Sequence, residues 1–132
     1  MPKYGGDVLD FADLNFDYKI EPVRSPAPFS GFALEFSLPN RDLVFETRDD
    51  RIESYLDIFV RVRKRDGTGG GNFEERLLIG FNKSDEEAVM KTVTIYRKLF
   101  ELPAGTYKID IAVRDRRSGN RGIRSTNFEV PK

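Results

Sequence analysis

Apolar side chains recur at every second position along most of this chain. Leu14, Phe16, Tyr18 and Ile20 alternate with Asn15, Asp17, Lys19 and Glu21, a run that Pro22 is expected to stop. After a stiff connector, Ser25-Pro26-Ala27-Pro28, the pattern returns in Phe32, Leu34, Phe36 and Leu38 and ends at Pro39-Asn40. Leu43-Val44-Phe45 reads as a short strand and Arg48-Asp49-Asp50-Arg51 as a charged turn. The longest alternation comes next. Leu56, Ile58, Val60 and Val62 share one face, while Tyr55, Asp57, Phe59, Arg61 and Arg63 share the other. The glycines after Arg65-Asp66 predict a hairpin tip, with Phe73, Leu77, Ile79 and Phe81 on the return strand.

Ser84 and Glu87 are spaced as a capping box, which predicts one helical turn over 85–90. Between 91 and 101 the apolar parity changes, from Val93 and Ile95 to Phe100 and Leu102; a bulge near Arg97-Lys98 would reconcile the two. A last hairpin carries Tyr107, Ile109, Ile111 and Val113 out, and Thr126, Phe128 and Val130 back. In Leu102-Pro103-Ala104-Gly105-Thr106-Tyr107, Pro103 and Gly105 turn the chain. Tyr107 is then placed to tie its hydroxyl to backbone near Leu102–Pro103, as sandwich domains do. Eight strand segments and a single helical turn predict an all-β fold: an immunoglobulin-like antiparallel β-sandwich of about seven to eight strands. Residues 1–13 form an extended N-terminal arm and 14–132 one domain.

Composition narrows the chemistry. The 132 residues include no cysteine, histidine or tryptophan, which removes thiolate nucleophiles, histidine bases and zinc sites built on either residue. Lys+Arg and Asp+Glu both number 22, yet the charge is unevenly spread. Residues 1–53 hold 6 basic and 11 acidic side chains and residues 54–132 hold 16 and 11, balances of −5 and +5. Such a dipolar chain can dock one half on the other or stack head to tail. The Gly67–Asn72 loop lacks the Gly-Lys-Ser/Thr ending and following helix of a phosphate loop. Arginines gather at 61–65 and 114–124, but interleaved aspartates argue against nucleic acid. No apolar run approaches the ~20 residues of a membrane span.

No pair among the acidic residues stands out for acid–base work, so the chain reads as non-catalytic and without cofactor. Its candidate contact surface is the outward face Tyr55, Phe59, Arg61 and Arg63, unless residues 7–13 cover the aromatic pair. The arginine hairpin with Arg114, Arg116, Arg117 and Arg121 stands second. Two further classes are open. Asp49, Asp50 and Glu53 beside one turn could contribute to a calcium site, and a glycan site is the other ligand reading. Strand 14–21, at a sheet edge, could instead pair with another copy and give weak self-association.

Two stretches carry a resemblance. Ser37-Leu38-Pro39-Asn40-Arg41-Asp42-Leu43-Val44-Phe45 precedes the long strand, and Leu102-Pro103-Ala104-Gly105-Thr106-Tyr107 opens the last hairpin through Ser118-Gly119. Together they resemble the C-terminal β-rich regions of bacterial GWxTD-domain proteins and regions that follow von Willebrand factor A-like domains in acidobacterial-type proteins. The similarity spans roughly residues 30–131; the Gly-Trp-x-Thr-Asp motif itself is absent, since the chain has no tryptophan. The resemblance implies an accessory, protein-interaction module of a larger extracytoplasmic protein, with another protein or domain as its partner and no catalytic residues.

Overall fold

The computed structural model describes residues 11–12, 14–24, 30–67 and 69–131. Among them are two antiparallel sheets packed face to face, built from seven strands of eight or more residues and two very short ones. In chain order these are β1 (Phe11–Ala12), β2 (Asp17–Arg24), β3 (Ser30–Pro39), β4 (Glu46–Arg48) and β5 (Arg51–Lys64). They continue with β6 (Gly71–Asn82), the four-residue helix α1 (Glu86–Val89), β7 (Val93–Glu101), β8 (Gly105–Asp115) and β9 (Arg121–Val130). The all-β sandwich expected from the alternation is the fold observed.

The small sheet has the order β2-β3-β7, and the large sheet runs β1-β9-β8-β5 with β6 along the other edge of β5. Short β4 pairs with the first residues of β5, in line with β8. Phe32, Leu34, Phe36 and Leu38 of β3 are buried against Leu56, Ile58 and Val60 of β5 and Ile109, Ile111 and Val113 of β8. Each such side chain contributes on the order of 1.5–3 kcal/mol by leaving water. Rings fill the seam between the layers: Phe16 lies 5.5 Å from Phe36, and Phe32 lies 4.9 Å from Phe100.

Four local expectations are corrected. Pro22 does not stop the first run; it sits inside β2, opposite Phe32. An edge strand has one side free of ladder bonds, so a missing N–H is tolerated there. Leu43–Phe45 is not a strand. The Val44 amide donates to the Asp115 carboxylate at 2.8 Å instead of joining a ladder, and pairing starts at Glu46. The Ser84 box does not form: Lys83–Asp85 is a 3-10 turn, and no side chain caps it or α1. Finally, β7 has no bulge. Its register with β3 is unbroken from Pro39–Val93 to Gly31–Glu101, so Val93, Ile95 and Leu99 point outward while Tyr96 is buried.

The two predicted hairpins are present. At the first tip Gly70 has a φ of 89°, and a Cβ there would collide with the Val62 carbonyl oxygen, so only glycine fits. Residues 1–10, Asp13, the Ser25–Pro28 connector and Thr68 lie outside the described residues. Within the segment expected as an arm, Phe11–Ala12 extends the large sheet past β9.

Candidate functional site

The outer face of the large sheet is built from the polar half of the alternation. Direct cross-strand partners share a face, so the register turns separate sequence segments into rows. One row reads Arg76 (β6), Asp57 (β5), Arg114 (β8) and Arg121 (β9). The next reads Glu74, Phe59, Ala112 and Ile123, and the third Asn72, Arg61, Asp110 and Ser125. An apolar row thus runs between two charged ones. It forms an open groove of about 490 Å³, lined by Phe59, Ala112 and Ile123 with Arg61, Asp110 and Glu74 at its sides.

Asp57 organises the first row. Its side chain is only 9% exposed, yet three guanidinium groups reach it: Arg114 at 2.7 Å, Arg116 at 3.4 Å and Arg76 at 3.5 Å. Burial pushes the Asp57 carboxyl up, but hydrogen bonds and charge from Arg114 and Arg116, with Arg76 behind them, outweigh it and hold the group below its ordinary value. One carboxylate serving three arginines leaves most of their N–H donors aimed at solvent, with a local excess of positive charge. Asp110 anchors the third row, accepting from Arg61 at 3.1 Å and from the Ser125 hydroxyl at 2.6 Å, with Arg63 at 3.9 Å.

Every expected contact residue therefore belongs to this face or its rim. Phe59 is 37% exposed and borders the groove. Tyr55 is half-buried beneath the Arg117 guanidinium, 5.6 Å from its ring, while Arg117 also pairs with Glu46 at 2.7 Å. Arg61, Arg63, Arg114, Arg116 and Arg121 line up as above, so the two candidate surfaces are one. Tyr107, expected to serve the turn and not the surface, points the other way, into the core. Its hydroxyl donates to the Pro103 carbonyl at 2.7 Å, the bond expected of the Pro-Gly turn, and burial pushes its phenol up. Gly105 reaches that turn with a φ of 156°, a conformation side chains rarely adopt. Arg76, Asp110, Ala112 and Ile123 were not singled out from sequence; only the strand register brings them to Asp57 and Phe59.

Other polar groups serve the scaffold. Asp115 is fully buried and accepts from the amides of Val44 and Arg117, tying the β3–β4 connection to the last hairpin. Tyr96 donates to Glu75 at 2.6 Å across the gap between the sheets; burial, with Glu75's hydrogen bond and charge, pushes its phenol up. Ser54 faces the core with no hydrogen-bond partner for its hydroxyl. Among the described residues no group of three or more acidic side chains converges as metal ligands. Asp49 and Asp50 form the β4–β5 turn, with Asp49 at a φ of 55°, whereas Glu53 lies along β5 beside Arg51.

No protein-family model and no curated protein matches the chain. Among solved structures, it is similar to one titled "X-ray structure of Northeast Structural Genomics Consortium target SoR45". The two share 9% identity with a TM-score of 0.46, over 90% of this chain and 86% of the other.

Proposed function

We propose that this chain is a non-catalytic protein-interaction module whose contact surface is the outer face of the large sheet. The observation that carries the reading is the apolar stretch Phe59–Ala112–Ile123 set between two charged rows, one with Arg76, Arg114 and Arg121 and the other with Arg61. An aromatic anchor beside guanidinium groups is the composition that concentrates binding energy in protein interfaces. Asp110 and Asp57 are engaged by arginines, and Asp57 is held in its ionised form, which suits recognition better than proton transfer.

The strand order supports a finer assignment. A three-stranded β2-β3-β7 sheet facing β9-β8-β5-β6, with a tyrosine tied back across a Pro-Gly turn, fits an immunoglobulin-like sandwich. The sequence resemblance supports a place in a larger extracytoplasmic bacterial protein, with the partner being another protein or another domain of the parent chain.

The test is the double substitution Phe59→Ala, Arg61→Ala in the full chain used as bait. Asp110 keeps Arg63 and Ser125 in that variant, and Phe59 is partly exposed already, so the thermal unfolding midpoint should stay close to wild type. Partners retained by wild type should be lost. Retention of all of them by a folded variant moves the contact surface elsewhere.

A further inference from the structure

The second surface lies on the opposite side of the sandwich and is independent of the groove. Strand β7 is an edge: among the described residues it pairs only with β3. Its outward side chains include Val93, Ile95 and Leu99, which are 48%, 62% and 61% exposed. Strands left open in this way are usually blunted by proline, charge or a bulge. The other edge of the same sheet shows that protection, since β2 contains Pro22 and carries Asp17, Lys19 and Glu21 on its outward positions. Strand β7 has no proline and no bulge, keeps nine residues in unbroken register, and sets apolar Val93, Ile95 and Leu99 beside its two outward charges, Arg97 and Glu101. From the inner side it is braced by the Tyr96–Glu75 bond and by Lys98 over the Phe73 ring at 4.7 Å, so the edge is held straight.

We propose that β7 is a self-association edge, on which a second copy of this chain adds its own β7 antiparallel about a two-fold axis through Arg97. The one register that pairs all nine residues sets Arg97 opposite itself, Ile95 opposite Leu99 of the second copy, and Val93 opposite Glu101. It covers all four of the large exposed Ile95 and Leu99 side chains at once. The axis also sets the two Arg97 side chains opposite one another, a like-charge contact that each Glu35, 3.4 Å from its own Arg97 on the neighbouring strand, offsets. A symmetric pair of this kind is closed and gives a dimer, not a fibre. Two nine-residue strands bury less than the ~1,200 Å² of stable specific complexes, so the dimer belongs to the weak class.

The chain contains no cysteine, so single cysteines report the register cleanly. Under mild oxidation Arg97→Cys should form a disulfide-linked dimer. Ile95→Cys alone should not, because the two copies of residue 95 are four residues apart along the ladder. At ~3.4 Å per residue that is ~14 Å, twice the ~7 Å reach of a disulfide. A mixture of Ile95→Cys and Leu99→Cys should yield the heterodimer. In sedimentation, wild type should associate with rising concentration, and Ile95→Lys, Leu99→Lys should remain monomeric with unchanged unfolding. Wild type that stays monomeric up to about 1 mM, the weak end of specific association, overturns the proposal. Equal cross-linking by Arg97→Cys and Ile95→Cys overturns it too.

Discussion

Asp57 and Glu35 occupy equivalent places in the two sheets, and they behave differently. Each sits on the outer face of a central strand, with a basic residue directly opposite on both neighbours: Arg76 and Arg114 for Asp57, Lys19 and Arg97 for Glu35. Around Asp57 the closest approach is 2.7 Å and a third arginine, Arg116, arrives from the last hairpin. Around Glu35 the distances are 3.4 and 3.8 Å, and its side chain is 29% exposed against 9% for Asp57. The short aspartate stem keeps its charge down on the sheet, where long guanidinium side chains close over it. The glutamate holds its charge up in water. The same cross-strand charge pattern therefore makes an organised cluster on one face and a loose, screened pair on the other.

Three substitutions sharpen this comparison. Asp57→Ala leaves three arginines facing one another and should cost about 2 kcal/mol in urea unfolding at neutral pH, less than for a fully buried pair because water reaches the arginines. The pH dependence follows in sign. A carboxyl whose folded-state pKa lies below the ordinary 3.8 adds stability that is complete above that value and is lost as pH falls through the depressed one. Wild type should lose this increment in acid, and Asp57→Ala should lack that part of the slope. Tyr107→Phe removes one neutral buried bond on the opposite face of the strand that carries Arg114; thermal unfolding should report about 1 kcal/mol. Glu35→Ala should change stability by less than about 0.5 kcal/mol. A cost equal to that of Asp57→Ala would mean that burial is not what separates the two.

Much of the fold is legible from alternation, because a residue of β5 or β8 between two neighbours has one face in the core and its sequence must respect that. The hidden side of β5, the two hairpin tips and the Tyr107 bond follow from local pattern and turn chemistry. Edge positions are less constrained. Pro22 is tolerated and Val93, Ile95 and Leu99 point outward, which an apolar count alone reads as a stop and a bulge. Leu43–Phe45 escapes prediction for another reason: its amide partner, the Asp115 carboxylate, is 71 residues away in sequence. At the candidate site, Phe59 and the arginines could be named from their parity and clustering. Their neighbours Arg76, Asp110, Ala112 and Ile123 could not.

By itself, then, the sequence determined the all-β class, the inward face of each central strand and the absence of any thiol or imidazole chemistry. These follow from side-chain period and composition, which are properties of the chain before it folds. Tertiary structure alone decided which strands lie side by side, and hence that two arginine clusters and an aromatic form one surface and that, among the described residues, β7 pairs on one side only and leaves Ile95 and Leu99 exposed. Register is a relation between distant segments, fixed by hydrogen-bond ladders and the packing of two layers, and no single segment encodes it.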